Sequence, residues 1–330
     1  MKINPYLRLI TSVWMVVSAP LYAGALSPVD GMRDMRYSRR TAAEAVRWQH
    51  QLRQQCIELL HLQDLMNLRG QLPLRIKRCA EADRSGYRMM ELEIAATPGR
   101  RIAVVFTRPS QGAGPFPAVV CVHGHGGSRH VVYDVETIYK GFAHHLASAG
   151  YVTISTEVGQ HQVFEPGRTL IGERLWDLLR CVDYLRSLKE VDVQRIGCAG
   201  LSLGGEMAMW LAAMDEGIAA TVSAGFLTLM DQMEKNHCPC WKFDGLRQRA
   251  DWPDIYSLIA PRPLQCQNGW KEPPSDFVVS FARLAMAQVR PIYQDLGRPN
   301  AVELHAHCGA HEIDLAALMD FFDRTLRVRP

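Results

Sequence analysis

The sequence predicts an α/β protein with a mostly parallel central sheet and helices on both of its faces. Three observations lead there. Beyond residue 100, short apolar runs alternate with longer segments of helical period. Turn residues bound each strand-like run. Runs such as Ala118-Val119-Val120-Cys121-Val122 are apolar throughout, as a strand covered on both faces must be. Composition agrees, since 330 residues with 48% hydrophobic and 22% charged side chains describe an ordinary globular chain and exclude disordered, collagen-like and coiled-coil classes. A net charge of +3 without any long run of one sign gives no reason to expect nucleic acid, a polyanion or a membrane surface as partner.

The elements follow in order. Residues 1–25 read as an export signal: Lys2 and Arg8 give a basic start, residues 9–19 an apolar stretch, and Ala23-Gly24-Ala25 a small-residue cleavage site. The apolar stretch is about half the ~20 residues that span a bilayer and Pro20 interrupts it, so release to the periplasm or medium is expected, without stable membrane insertion. Residues 26–72 form a short helical segment with an amphipathic helix over 41–62, and residues 73–330 form the main domain. Strands are predicted over 87–95 and 101–108, joined by a turn at Pro98-Gly99, then over 117–122, 151–156, 195–199, 219–223, 263–267 and 301–307. Helices are predicted over 136–149, 173–188, 203–214 and 277–296, with a last one ending at Leu326. The longest irregular piece runs from 225 to 253.

Ligands of such sheets bind beyond the carboxyl ends of the strands, so the residues that follow each strand carry the functional information. After the strand at 195–199 comes Gly200-Leu201-Ser202-Leu203-Gly204-Gly205, a G-x-S-x-G pattern that leads straight into a helix. The pattern alone is weak, but between a strand and a helix it describes a tight turn that holds a serine hydroxyl clear of the sheet. A serine needs a base to take its proton and an acid to orient that base, in the chain order Ser, Asp/Glu, His. Glu272 follows the strand at 263–267, and His311 follows the strand at 301–307. Asp276 is the alternative acid. The oxyanion needs preorganised N–H donors, for which Leu203 and either His125 or Gly126, in His123-Gly124-His125-Gly126-Gly127, are the candidates.

The pieces PAVVCVHGHGG, ERLWDLLRCVDYLRSLKEVDVQRIGCAGLSLGGEMAMWLAA, NHCPC, DIYSLIAPRPLQ and GAHE, spread over about residues 75–328, resemble the α/β-hydrolase superfamily, and within it the dienelactone hydrolase and acetylxylan-esterase-like group. The resemblance implies an α/β-hydrolase fold and a serine-dependent hydrolase of carboxylic esters, acting on an acylated carbohydrate or another small ester. It carries over Ser202 as nucleophile, His311 as base, and Glu272 at a position where the pattern usually has Asp in a G-x-x-D-P segment. Dienelactone hydrolases proper use a cysteine nucleophile, so Ser202 points to the esterase side. An amidase or peptidase with the same triad, or a non-catalytic binding relative, are the other readings.

No cofactor and no metal is expected. Cys238-Pro239-Cys240 has a shorter spacing than the usual zinc pair, and His123 with His125 lacks accompanying ligands in the sequence, so the cysteine pair reads as a device that shapes the pocket. His161, Trp241, Phe243 and Trp270 are candidate pocket residues. Nine cysteines, an odd number, leave at least one unpaired, and Cys121 and Cys198 sit in apolar runs where a thiol behaves as a small hydrophobe.

Overall fold

The structure is a computed structural model and describes residues 33–234, 237–274 and 277–327. The export-signal reading of residues 1–25 and the alternative acid Asp276 lie outside the described residues. Nine strands make one sheet: β1 (Lys77–Arg84), β2 (Tyr87–Ala95), β3 (Arg101–Pro109), β4 (Phe116–Val122), β5 (Val152–Thr156), β6 (Val191–Leu201), β7 (Ala220–Ala224), β8 (Leu264–Gly269) and β9 (Val302–His307). Their spatial order is β1-β2-β3-β5-β4-β6-β7-β8-β9. The first three strands and the β3–β5 pair are antiparallel, and from β5 to β9 every pairing is parallel. All six parallel strands therefore open their carboxyl ends on one edge, and every candidate residue named from the sequence follows one of them.

The period of two is what divides the core. On β4, Ala118, Val120 and Val122 enter one apolar cluster, which also takes the helices Ala42–Leu59, Leu170–Ser187, Leu203–Met214 and Val279–Asp295. Val119 and Cys121 point the other way, to a smaller cluster under the helices Phe142–Ser148 and Leu315–Phe322. Two covered faces leave no polar side on the central strands, which explains their unbroken apolar runs.

The predicted elements are present, with boundaries shifted by a few residues and three differences. β1 escaped notice because all eight of its residues are exposed and carry no alternating pattern; backbone pairing with β2 alone makes it an edge strand. The helix read over 136–149 is confined to Phe142–Ser148, because Gly141 turns with φ +56° in contact with Val135. The stretch 225–253 contains the short helices Met230–Met233, Leu246–Arg249 and Trp252–Ser257.

The helix Ala42–Leu59 starts at a capping box, with Thr41 and Glu44 each bonding the other's backbone N–H. It is joined to the main body by buried polar contacts: Gln49 donates to the carbonyls of Ser257 and Ala260, and Arg53 to that of Ala213. Its end meets the helix Leu170–Ser187 at Gly172, where a Cβ would lie 2.1 Å from the Leu60 carbonyl oxygen. Gly172→Ala is expected to lower stability by about 1–3 kcal/mol through this overlap, read as a lower urea midpoint at unchanged slope. A midpoint equal to wild type would mean that the two helices separate at no cost.

Candidate active site

Ser202 occupies the turn between β6 and the helix Leu203–Met214 with φ 62° and ψ −126°, a conformation that a residue with a side chain rarely adopts. The turn is held by close backbone contact. A Cβ on Gly200 would lie 2.2 Å from the Gly204 carbonyl oxygen, and one on Gly204 would lie 2.2 Å from that of Val122. Ser202 N–H donates to the Ala224 carbonyl at 2.9 Å, which ties the elbow to the end of β7. Leu203 is the first residue of the helix, so its N–H has no intrahelical partner and faces the turn.

The loop after β4 lies directly beside this elbow. Gly124 fits only as glycine, because a Cβ would meet the Leu201 carbonyl oxygen at 2.8 Å and the Ser202 Cβ at 3.1 Å. Its N–H donates to Tyr139 Oη at 2.6 Å, and Gly127 N–H closes a turn on the Gly124 carbonyl at 3.2 Å. His125 and Gly126, with φ +68° at Gly126, form the middle of that turn. The His123 ring is engaged elsewhere: it is fully buried, with Nδ1 2.8 Å from the Gly124 carbonyl oxygen, while Nε2 accepts the Val158 N–H at 3.1 Å.

Glu272 and His311 are brought together from the ends of β8 and β9. Trp270 N–H donates to the His307 carbonyl at 2.8 Å and Lys271 N–H to that of Gly309 at 3.0 Å, so the two loops continue the pairing of their strands. This requires Gly269, whose Cβ would lie 2.2 Å from the Ala310 carbonyl oxygen. His311 Nδ1 then donates to Glu272 Oε2 at 2.8 Å. The acid is shut away from water and the imidazole is partly open, with side-chain exposures of 1% and 25%. Phe277 stacks on the imidazole with ring centroids 5.8 Å apart. Gly225, with φ +58°, leaves the space the imidazole occupies, since a Cβ there would lie 2.7 Å from His311 Cε1. Gly225 directly follows Ala224, the residue that accepts the Ser202 N–H, so the serine turn and the imidazole both pack against the end of β7.

The four candidate pocket residues have different surroundings. Trp241 is in the core, packed on Trp252 at 5.5 Å, and half-buried Phe243 packs on Trp210 at 6.0 Å. Trp270 is exposed and carries Arg283 over its ring at 4.9 Å. His161 stacks on His125 with centroids 5.4 Å apart. A cavity of about 890 Å³ opens beside the β4 loop, lined by Arg100, Ile102, Gly126, Gly127, Gln160 and Phe164. It reaches the loop of His125 and Gly126 but not Ser202 or His311.

Tyr139, Gly225 and Phe277 were not found in the sequence. A glycine directly after a strand is a usable signal for Gly225. Nothing local marks Tyr139 or Phe277, whose roles come from tertiary contact. Two ionisable side chains, Arg174 and Glu206, are buried close enough for the cation to act on the acid. Burial pushes the Glu206 carboxyl up to about 8, against the lowering pull of Arg174.

The fold is an α/β-hydrolase fold. Within it, residues 102–235, from β3 past β7, match the model of the dienelactone hydrolase family. The candidate hydrolase YtaP of Bacillus subtilis (strain 168) is 29% identical over 186 residues, which are 48% of this chain and 61% of that protein. The chain thus spans less than two thirds of that relative's length. A candidate acetyl xylan esterase of Bacteroides fragilis NCTC 9343 shares the fold with a TM-score of 0.70 at 18% identity, over 83% of this chain and 78% of the other. A glucuronoyl esterase from Solibacter usitatus does so with a TM-score of 0.61, also at 18% identity, over 76% and 86%.

Two outcomes follow from this geometry. Gly225→Ala should push the imidazole off Glu272, and the low-field proton resonance of a carboxylate-bound Nδ1–H should disappear; its persistence would mean that the Gly225 space is not what seats His311. For Glu206, the folded pKa of about 8 stands above the ~4.3 of a free glutamate, so the native state holds the proton more tightly than the unfolded chain. The stabilisation is complete below the unfolded pKa and is lost as pH rises towards the folded value. Glu206→Gln should therefore flatten the fall in melting temperature between about pH 5 and pH 8, and an unchanged fall would assign it to another group.

Proposed function

We propose that the chain is a serine-dependent carboxylic ester hydrolase working through an acyl-enzyme. The observation that carries this reading is the 2.8 Å bond from His311 Nδ1 to the buried Glu272 carboxylate, formed beside a serine in a strained strand-to-helix turn. With Nδ1 committed to Glu272, the proton-accepting nitrogen is Nε2. Ser202 Oγ attacks the ester carbonyl carbon as its proton passes to Nε2. The carbonyl oxygen becomes an oxyanion, bonded by the N–H of Leu203 and that of His125 or Gly126. Collapse of this intermediate breaks the ester C–O bond, and the imidazolium gives its proton to the departing alkoxide. Water then attacks the acyl-serine with His311 as base again, and Ser202 leaves protonated. Glu272 keeps the tautomer and balances the imidazolium charge throughout.

An acetyl or other acyl ester of a carbohydrate is the substrate class we favour. The support is the fold shared with proteins named as acetyl xylan and glucuronoyl esterases. The leader-like residues 1–25 support export to the periplasm or medium, and no described helix is long and apolar enough to cross a membrane.

The test uses a chromogenic acetyl ester, its anilide analogue, and a serine-reactive organophosphonate. Wild type should hydrolyse the ester, leave the anilide nearly untouched and take one label. Ser202→Ala should abolish hydrolysis and labelling, and Glu272→Gln should lower kcat by up to ~10⁴ with the circular dichroism unchanged. Labelling of Ser202→Ala at the wild-type rate would end the serine assignment, and preference for the anilide would make the protein an amidase.

A further inference from the structure

Apart from the Ser202, Glu272 and His311 constellation, one other group of reactive side chains meets at the same edge of the sheet. His125 comes from the loop after β4, His161 from the loop after β5, and Cys238 and Cys240 from the long loop after β7. Their donor atoms, one from each residue, all lie within 4.8 Å of one another. His125 Nε2 is 3.0 Å from Cys240 Sγ, and Cys238 Sγ is 3.3 Å from His161 Nε2. A thiol–imidazole hydrogen bond accounts for either pair taken singly. It does not account for two such pairs converging from three loops.

Tetrahedral zinc, with Zn–S near 2.3 Å and Zn–N near 2.0–2.1 Å, requires donors roughly 3.3–3.8 Å apart. The Cys238–His161 separation of 3.3 Å lies at the short edge of that range, the His125–Cys240 separation of 3.0 Å falls just below it and must open slightly around an ion, and the 4.8 Å limit leaves room for the other pairs. Two thiolates and two imidazoles form a closed donor set that prefers soft or borderline cations over calcium or magnesium. We propose that His125, His161, Cys238 and Cys240 bind one structural zinc ion that fastens the loops after β4, β5 and β7 to each other.

The surroundings suit such a site, because the buried Arg174 lies beside Cys240. The buried Arg174 donates through Nη2 to the Gln160 carbonyl, one residue from His161. Its Nε and Nη1 have no partner among the described residues. A guanidinium with spare donors beside a cysteine is the supporting group that a metal thiolate requires. Zinc binding releases the two thiol protons, and a dication with two thiolates and two neutral imidazoles leaves no net charge to bury.

The one-residue spacing of Cys238 and Cys240 argued against a metal in the sequence because a zinc site usually pairs more widely spaced cysteines with two further ligands. Here the further ligands come from two other loops. His125 uses only its side chain in the quartet, so its backbone N–H is left for the oxyanion turn.

The experiment uses the full chain, purified with reductant and without chelator. Elemental analysis should find about one zinc per chain, and cobalt(II) added after chelation should give a thiolate charge-transfer band with the visible spectrum of a tetrahedral ion. Cys240→Ser should remove most of the charge-transfer intensity. His161→Ala, an exposed position whose change spares the core, should weaken cobalt affinity by more than the ~10–100-fold typical of losing a supporting residue, with circular dichroism unchanged. A wild-type protein with neither zinc nor a cobalt band would overturn the proposal, as would a Cys238–Cys240 disulfide or a cobalt spectrum identical in both variants. Metal content is read without any substrate, so this result and that for ester hydrolysis stand or fall separately.

Discussion

The contact on which the site depends is between two pieces of backbone, the end of β4 and the turn after β6. Gly204 lies so close to the Val122 carbonyl that a Cβ would be 2.2 Å from its oxygen, and Gly124 meets the Leu201 carbonyl oxygen and Ser202 at little more. Gly124, Gly200 and Gly204 let the loop of candidate oxyanion donors and the serine turn share one volume. The strained Ser202 backbone, of a kind that costs about 1–3 kcal/mol, persists because the elbow is fixed on both sides. Val122 supports one flank, and the Ser202 N–H bond to Ala224 supports the other. With that turn set, the position of β7 is set, and with it the space at Gly225 that His311 fills.

This explains which parts of the structure were legible in the sequence. Parallel strands buried on both faces write themselves as unbroken apolar runs, and glycines needed for backbone contact write themselves as G-x-S-x-G and HGHGG. Both signals are local. β1 was not legible, because an exposed edge strand is specified by its partner and not by its own pattern. Trp241 and Phe243 read alike in the sequence, since aromatic residues on a loop look the same whether they face solvent or the core; the structure packs buried Trp241 on Trp252 and half-buried Phe243 on Trp210. The meeting of His125, His161, Cys238 and Cys240 was hidden for the same reason, as it depends on where three loops fold and not on spacing within any of them.

Charge is handled differently on the two sides of the site. On the side of β8 and β9, a carboxylate shut away from water faces an imidazole that is partly open. The buried acid has few competing partners, and among the described residues its second oxygen, Glu272 Oε1, has no hydrogen bond. Its interaction is thus concentrated on one nitrogen. On the side of β4 and β5, Arg174 is the buried cation, and Glu206 is the buried acid that it pulls down against burial. A fully desolvated guanidinium needs negative charge or strong acceptors nearby. Glu206 answers poorly while burial favours its proton, which leaves the guanidinium turned to the Gln160 carbonyl.

The length of the acidic side chain also has a structural reason. Trp270 and Lys271 are bonded through their backbones to His307 and Gly309, so the chain entering Glu272 cannot move towards the histidine loop without breaking the extension of the β8–β9 pairing. Gly269 already brings the two loops to contact, with no space for a methyl group between them. The distance from the Glu272 backbone to His311 is therefore fixed by main-chain bonds, and the side chain must match it. Glutamate closes the gap at 2.8 Å. An aspartate at the same position, shorter by one methylene, would stop short of the imidazole unless the loop itself were remade. Glutamate here is a consequence of how the two loops are paired, not a neutral exchange for aspartate.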